Sequence, residues 1–122
     1  MISLEKIKSK KYIALETYRK NGKPVKTPVW FVINDDFVYV VTRSHTGKVK
    51  RLQNNPKVKF ALCTIKGKVT GEWISGTVKM LDKNQTKNTI EMRDKKYGFM
   101  AKIAKFLSKN KGELCAFSIK ID

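Results

Sequence analysis

The chain has 122 residues, 41% of them hydrophobic and 30% charged, and its 27 Lys and Arg outweigh 10 Asp and Glu to give a formal net charge of +17. That length suits one domain with a real core, and the defined apolar stretches exclude a disordered chain. No apolar run is long enough to cross a bilayer, and the first residues lack the apolar core of a secretion signal, so a cytoplasmic protein is expected.

The excess charge predicts an anionic partner: nucleic acid, an acidic membrane, or a phosphorylated or carboxylated small molecule. Only four of the basic residues are arginine, and the lysines are scattered along the chain, as on a solubilising surface. Charge alone selects no partner. Cys63 and Cys115 each stand in an apolar stretch and read as buried, reduced thiols. With one histidine, His45, they cannot assemble a zinc site.

In chain order, residues 1–10 read as a short basic helix or arm. Residues 12–18 are strand-like, and Asn21-Gly22 predicts a hairpin into a second strand over 25–33. Asn34-Asp35-Asp36 turns that strand into a third, 37–42. A helix opens near Thr46 and runs to Asn54-Asn55-Pro56, where proline blocks it. A fourth strand follows over 57–64, with Val58, Phe60 and Leu62 on one face, and a long fifth over 69–81. Asp82 is a cap for a polar helix over 84–94. A second helix over 97–109 sets Phe99, Ile103 and Phe106 or Leu107 at core spacing, opposite Lys102, Lys105 and Lys109. Residues 113–121 make a sixth strand. The pattern predicts a small, mostly antiparallel barrel with helices outside.

The richest stretch is 38–51. A strand end, a polar loop and a helix start aim backbone N–H groups and a positive dipole end at one place. Thr42, Ser44 and Thr46 add hydroxyls, and Arg43, Lys48 and Arg51 add charge, so the junction reads as a phosphate cradle. The plainer reading is a strand–helix connection capped by Thr46 or Ser44. Neither G-x-x-x-x-G-K-[ST] nor G-x-G-x-x-G occurs. Residues 28–33 are apolar on both faces, so both need cover. A second copy is the economical cover, and the late helices are the alternative.

Asn21-Gly22-Lys23-Pro24-Val25-Lys26-Thr27-Pro28-Val29-Trp30-Phe31, Val41-Thr42 through Thr46-Gly47-Lys48-Val49-Lys50-Arg51-Leu52, Asn55-Pro56-Lys57-Val58 and Gly71-Glu72-Trp73-Ile74-Ser75-Gly76 together carry a resemblance. In order and spacing the chain resembles the flavin-binding split β-barrels related to pyridoxamine 5′-phosphate oxidase, most nearly the branch that uses the deazaflavin coenzyme F-420. The resemblance implies a mostly β fold: a six-stranded antiparallel split β-barrel of Greek-key, FMN-binding type with a few peripheral helices. Residues 1–122 would form a single flavin- or deazaflavin-binding domain, in a homodimer with two cofactor sites at the interface. By position, Lys26, Thr27, Pro28 and Val29 would line the ring system. Thr42, Thr46, Gly47 and Lys48 would hold the phosphate, with Arg43 and Arg51 nearby, and Trp73 would lie near the interface, facing the partner's site. The chain ends Ala116-Phe117-Ser118-Ile119-Lys120-Ile121-Asp122 and departs from the Arg-Leu-x-Pro finish of the founding enzyme, so vitamin B6 oxidation is not implied.

No Ser-His-Asp set or carboxylate pair is visible, which suits a cofactor that carries the chemistry itself. The expected function is hydride transfer between bound F-420 and a small unsaturated or quinone-like acceptor, with Thr17 and Tyr18 shaping the substrate side. The alternative is an FMN-binding flavoprotein. A remoter rival is a basic nucleic-acid-binding barrel that stacks bases on Tyr12, Trp30, Tyr39 or Trp73. Its aromatics, however, stand in apolar strands and are not interleaved with basic residues.

Overall fold

The computed structural model of the protein describes residues 4–122. Part of the expected basic arm, residues 1–3, lies outside them. The described chain begins with a short 3-10 turn, Leu4–Ile7, which buries Ile7 in the core. Strands β1 (Ile13–Tyr18) and β2 (Pro24–Val29) form the hairpin that Asn21-Gly22 predicts. Gly22 takes φ 85°, and its N–H meets the Arg19 carbonyl at 2.8 Å.

The expected second strand is in fact two. After β2 the chain breaks at Trp30-Phe31, and β3 (Val32–Asn34) pairs with β4 (Phe37–Arg43) instead of β1. Helix α1 (Gly47–Asn54) stops before Pro56, and β5 (Lys57–Leu62) pairs with both β1 and β6 (Ile74–Met80). β6 is shorter than the expected 69–81 strand. Ahead of it only Val69 makes an isolated bridge, to Cys63. Two helices, α2 (Lys83–Tyr97) and α3 (Phe99–Leu107), and a 3-10 turn (Lys109–Lys111) lead into β7 (Leu114–Ile121). Asp82 caps α2 as expected, accepting from the Gln85 N–H at 2.8 Å in a reciprocal capping box.

All pairings are antiparallel, in the order β2-β1-β5-β6-β7-β4-β3. The edges β2 and β3 are therefore separated by only two residues of sequence. So short a link spans at most about 11 Å, so the sheet must curl until its edges nearly meet. The fold is a split barrel of seven strands, not six. Phe31, Phe60, Phe117, Leu15, Val38 and Ile119 fill its interior, and each is worth about 1.5–3 kcal/mol of burial. Val49 and Leu52 of α1 are also buried.

The break is held from outside by the end of α2. Phe31 donates its N–H to the Tyr97 hydroxyl at 3.0 Å, and that hydroxyl donates to the Lys11 carbonyl at 2.7 Å. Lys96 Nζ donates to the Phe31 carbonyl at 2.8 Å, and Trp30 stacks on Tyr97 with ring centres 4.2 Å apart. At Trp30 the outer face is thus covered by a late helix, the alternative cover to a second copy.

Two further expectations fail. Phe99, Ile103, Phe106 and Leu107 have helical spacing, but they are exposed; α3 buries Ala101 instead. Cys63 and Cys115 are free and only half-buried, and burial pushes both thiols up.

Candidate functional site

β4 delivers the chain to α1 through Ser44 and His45, and this loop is fastened to the residues before β7. Ser44 and His45 donate their N–H groups to the Glu113 and Lys111 carbonyls, both at 2.9 Å. Gly112 makes that contact possible, because a Cβ there would run into Ser44 and His45, and its φ of 94° suits glycine. The docking carries Lys111 to the start of α1.

Thr46 is the N-cap residue, with extended backbone, but its side chain makes no cap hydrogen bond. Its hydroxyl turns back and donates to the Arg43 carbonyl at 2.9 Å. Among the described residues, the N–H groups of Gly47, Lys48 and Val49 therefore have no protein acceptor, and α1 opens with bare donors at its positive end.

Cations gather around these donors. Arg51 lies one turn along, anchored by Nε donating to the Thr17 hydroxyl at 2.6 Å. Gly47 leaves room for its guanidinium, since a Cβ there would approach Arg51 Nη1 to 2.8 Å. Burial lowers the Lys48 pKa, and the nearby positive charges of Arg51 and then Lys111 lower it further. Arg51 is lowered first by burial and then by Arg19. Among the described residues, the ion pairs are Lys26–Glu16, Lys57–Asp122 and Arg93–Asp94, so none of these four cations is paired with a carboxylate. Lys48 and Arg51, half-buried, and Arg19 and Lys111, exposed, are like charges around unmet N–H donors, an arrangement with the chemistry to take up an anion.

The other predicted residues divide into separate groups. Thr42 pairs with Cys115 across β4 and β7, and Cys115 feels the Lys48 charge. Arg43 turns elsewhere: Nε donates to Ser108 Oγ at 3.0 Å, Nη1 to the Gly112 carbonyl at 3.1 Å and Nη2 to the Lys105 carbonyl at 2.9 Å. Its guanidinium ties β4 to the end of α3. Lys26, Thr27, Pro28 and Val29 alternate along β2, so they are not on one face. Thr27 and Val29 oppose the core residues Leu15 and Ile13, while Lys26 and Pro28 lie on the outer face. There Lys26 Nζ is 4.0 Å from Glu16 and 5.3 Å from the ring centre of Trp73.

Tyr18 donates its hydroxyl to Glu16 at 2.8 Å, and burial followed by that carboxylate pushes its pKa up to about 12. Thr17 points the other way and holds Arg51, so the two residues expected on the substrate side do different jobs. Thr17, Arg19 and Lys111 are the cradle residues that sequence reasoning missed. Thr17 alone carried a signal, as a small hydroxyl at the strand position in register with the apolar Ile13 and Leu15.

Trp73 also borders an open groove of about 870 Å³ that contains Glu5, Asp35, Asp36, Glu72 and Asp122. Half of the chain's ten carboxylates lie there. Its five carboxylates give this groove a sign that repels a phosphate. Among the described residues no three His, Cys, Asp or Glu side chains gather as metal ligands. No described helix is long and apolar enough to cross a membrane.

A comparison with the curated proteins finds no match. Among solved structures the chain is similar to a conserved hypothetical protein of Mycobacterium tuberculosis, at 16% identity and TM-score 0.74, covering 99% of this chain and 81% of that one. It is also similar to the heme storage protein HutZ of Vibrio cholerae, at 14% identity and TM-score 0.72, covering 98% and 87%. An F-420 reductase matches at 13% identity and TM-score 0.68, covering 95% and 90%. Likeness at such identities speaks for the fold alone. The pyridoxamine 5′-phosphate oxidase family model matches residues 4–122, and with that match over nearly its whole length the chain belongs to this family.

Proposed function

We propose that the chain is a cofactor-dependent oxidoreductase whose cofactor is a phosphorylated tricycle, the deazaflavin F-420 in preference to FMN. The observation that carries this reading is the start of α1. Lys48 and Arg51 gather there beside three unmet N–H groups, Lys48 within the field of Lys111 and Arg51 within that of Arg19, and among the described residues none of the four is ion-paired to a carboxylate. That donor set fits a phosphate: main-chain N–H groups for its oxygens, Lys48 as a point charge, and a guanidinium held in place by Thr17.

When bound, the cofactor supplies hydride chemistry towards a small unsaturated or quinone-like acceptor. The chain's own part is to bind and orient. Lys48 and Arg51 fix the phosphate end, and Lys26 with Trp73 offers a flat, cationic surface on the outer face of β2. The fold shared with an F-420 reductase supports the deazaflavin. So does the net charge of +17, because the deazaflavin's carboxylate tail gains from a positive field that FMN uses less.

The site is completed by a second copy in this reading. Ile65, Val69 and Trp73 are exposed along the segment beside Lys26 and form an apolar surface that a partner would cover. Light scattering should give twice the 14.0 kDa chain mass, and a monomer would remove the interfacial site.

The decisive experiment titrates the apo-protein with F-420 and with FMN at low and high salt. The expected result is F-420 binding that weakens as salt rises, because exposed charge contacts are screened within about 10 Å at 0.1 M. Salt-insensitive FMN binding with no F-420 binding would overturn the assignment.

A further inference from the structure

Helix α3 inverts the usual arrangement of a surface helix. Successive residues lie about 100° apart around a helix, so Phe106, Phe99, Ile103, Leu107 and Met100 occupy one continuous arc of about 120°. That arc faces solvent: Phe99 is 74% exposed, Phe106 66% and Leu107 75%. The side turned inward carries Ala101, and α3 meets the chain mainly through α2 and the 3-10 turn at its end. Lys102 borders one edge of the apolar arc, Lys105 lies on the side away from it, and Lys109 Nζ lies 4.5 Å from the ring centre of Phe106.

From Lys95 through Gly112 the sequence holds six lysines, Lys95 included, and no acidic residue. A second copy set against this helix would bring like charges together around the apolar arc. The partner that fits has an apolar interior and an anionic skin. We infer that α3 docks the protein on the surface of an anionic lipid bilayer, lying in the plane of the interface with Phe99, Ile103, Phe106 and Leu107 among the acyl chains and the lysines among the headgroups.

Two further features match that role. The helix is about 14 Å long, far too short to cross, so it can only lie on the surface. Its orientation is also fixed rather than flexible. Arg43 grips the Lys105 carbonyl and Ser108 Oγ, and Ser108 donates to the Ala104 carbonyl at 2.9 Å. The apolar arc is held outward as a rigid wedge.

The test is co-sedimentation of the full chain with vesicles of phosphatidylcholine alone or mixed with phosphatidylglycerol, at low and high salt. Binding should be at least about tenfold stronger to the anionic vesicles and should fall at high salt. Phe106→Gln with Leu107→Gln removes the apolar contact, leaves every charge in place and touches no core residue. Its binding should fall about tenfold or more, with an unchanged circular-dichroism melt. Undiminished binding by that variant would reduce the effect to general adhesion of a basic protein and overturn the inference. No binding of the parent chain to anionic vesicles would overturn it as well. A variant whose mass by light scattering is half that of the parent would assign the face to a second copy, with the same consequence. Cofactor titration of the variant separates this inference from the proposed function, because the start of α1 is untouched.

Discussion

Two half-buried lysines, Lys48 at the start of α1 and Lys96 at the end of α2, show how a buried cation can be read. Burial and a neighbouring positive charge lower both pKa values, Lys96 to about 8 with Lys11 beside it. Their surroundings differ. Lys96 donates to the Phe31 carbonyl and lies 3.9 Å from the Phe31 ring centre, so the protein itself meets its needs. Lys48 makes no side-chain hydrogen bond or ion pair among the described residues, and its charged neighbours are Arg51 and Lys111. A satisfied buried cation belongs to the architecture. An unsatisfied one among other cations is costly without a ligand, and so it marks a candidate binding site.

The architectural side should show the strongest response to substitution. Tyr97→Ala removes the hydroxyl that holds both Phe31 and Lys11 and the ring stacked on Trp30. The expected loss is about 3–5 kcal/mol by denaturant unfolding. A loss within about 0.5 kcal/mol would mean that the end of α2 does not hold the barrel's break closed.

On the other side, Lys48→Ala should weaken cofactor binding about ten- to a hundredfold by calorimetric titration. Stability should be unchanged or slightly higher, because a repelling half-buried charge is gone. Unchanged affinity would move the phosphate elsewhere.

A smaller effect separates the two lysines by pH. Lys96 has a folded pKa of about 8, below its ordinary 10.5, so between these values the unfolded chain binds more protons and stability rises with pH. Lys96→Met should remove that rise. Because the amine is partly solvated, the difference from the parent should be about 1 kcal/mol across the window. Parallel stability curves would show that burial does not perturb this amine.

The smallest signal is proton uptake. A bound phosphate raises the lowered pKa of Lys48, so at alkaline pH binding should draw a fraction of a proton from the buffer, and affinity should fall as pH rises. Calorimetry in two buffers of different ionisation enthalpy measures this directly, and Lys48→Ala should abolish it. Uptake that persists in the variant would assign the proton to another group.

What the sequence made legible was local. Asn21-Gly22, Asp82 and Pro56 each punctuate the chain, and each marks an element boundary in the fold. The start of α1 was legible for the same reason, since Thr46, Gly47, Lys48 and Arg51 are neighbours in a single turn. The break at Trp30-Phe31 carries no punctuation. A continuous apolar run looks the same whether it stays on one edge of a sheet or crosses to the other. The face of α3 was hidden differently: periodicity says which residues share a side, not which way that side points. Thr17, Arg19 and Lys111 join the cradle only through β1 and the docked loop before β7, and Arg43 was drawn away by a helix 62 residues later.

Arg43 has a mechanical meaning. Its carbonyl holds the Thr46 hydroxyl, so it helps to define the first turn of α1, while its guanidinium grips the last turn of α3. One residue is therefore the fulcrum between the anion cradle and the outward helix. A load that tilts α3 acts through that guanidinium on the strand end that sets the position of Thr46. By reciprocity, a ligand that stiffens the first turn of α1 stiffens the footing of α3.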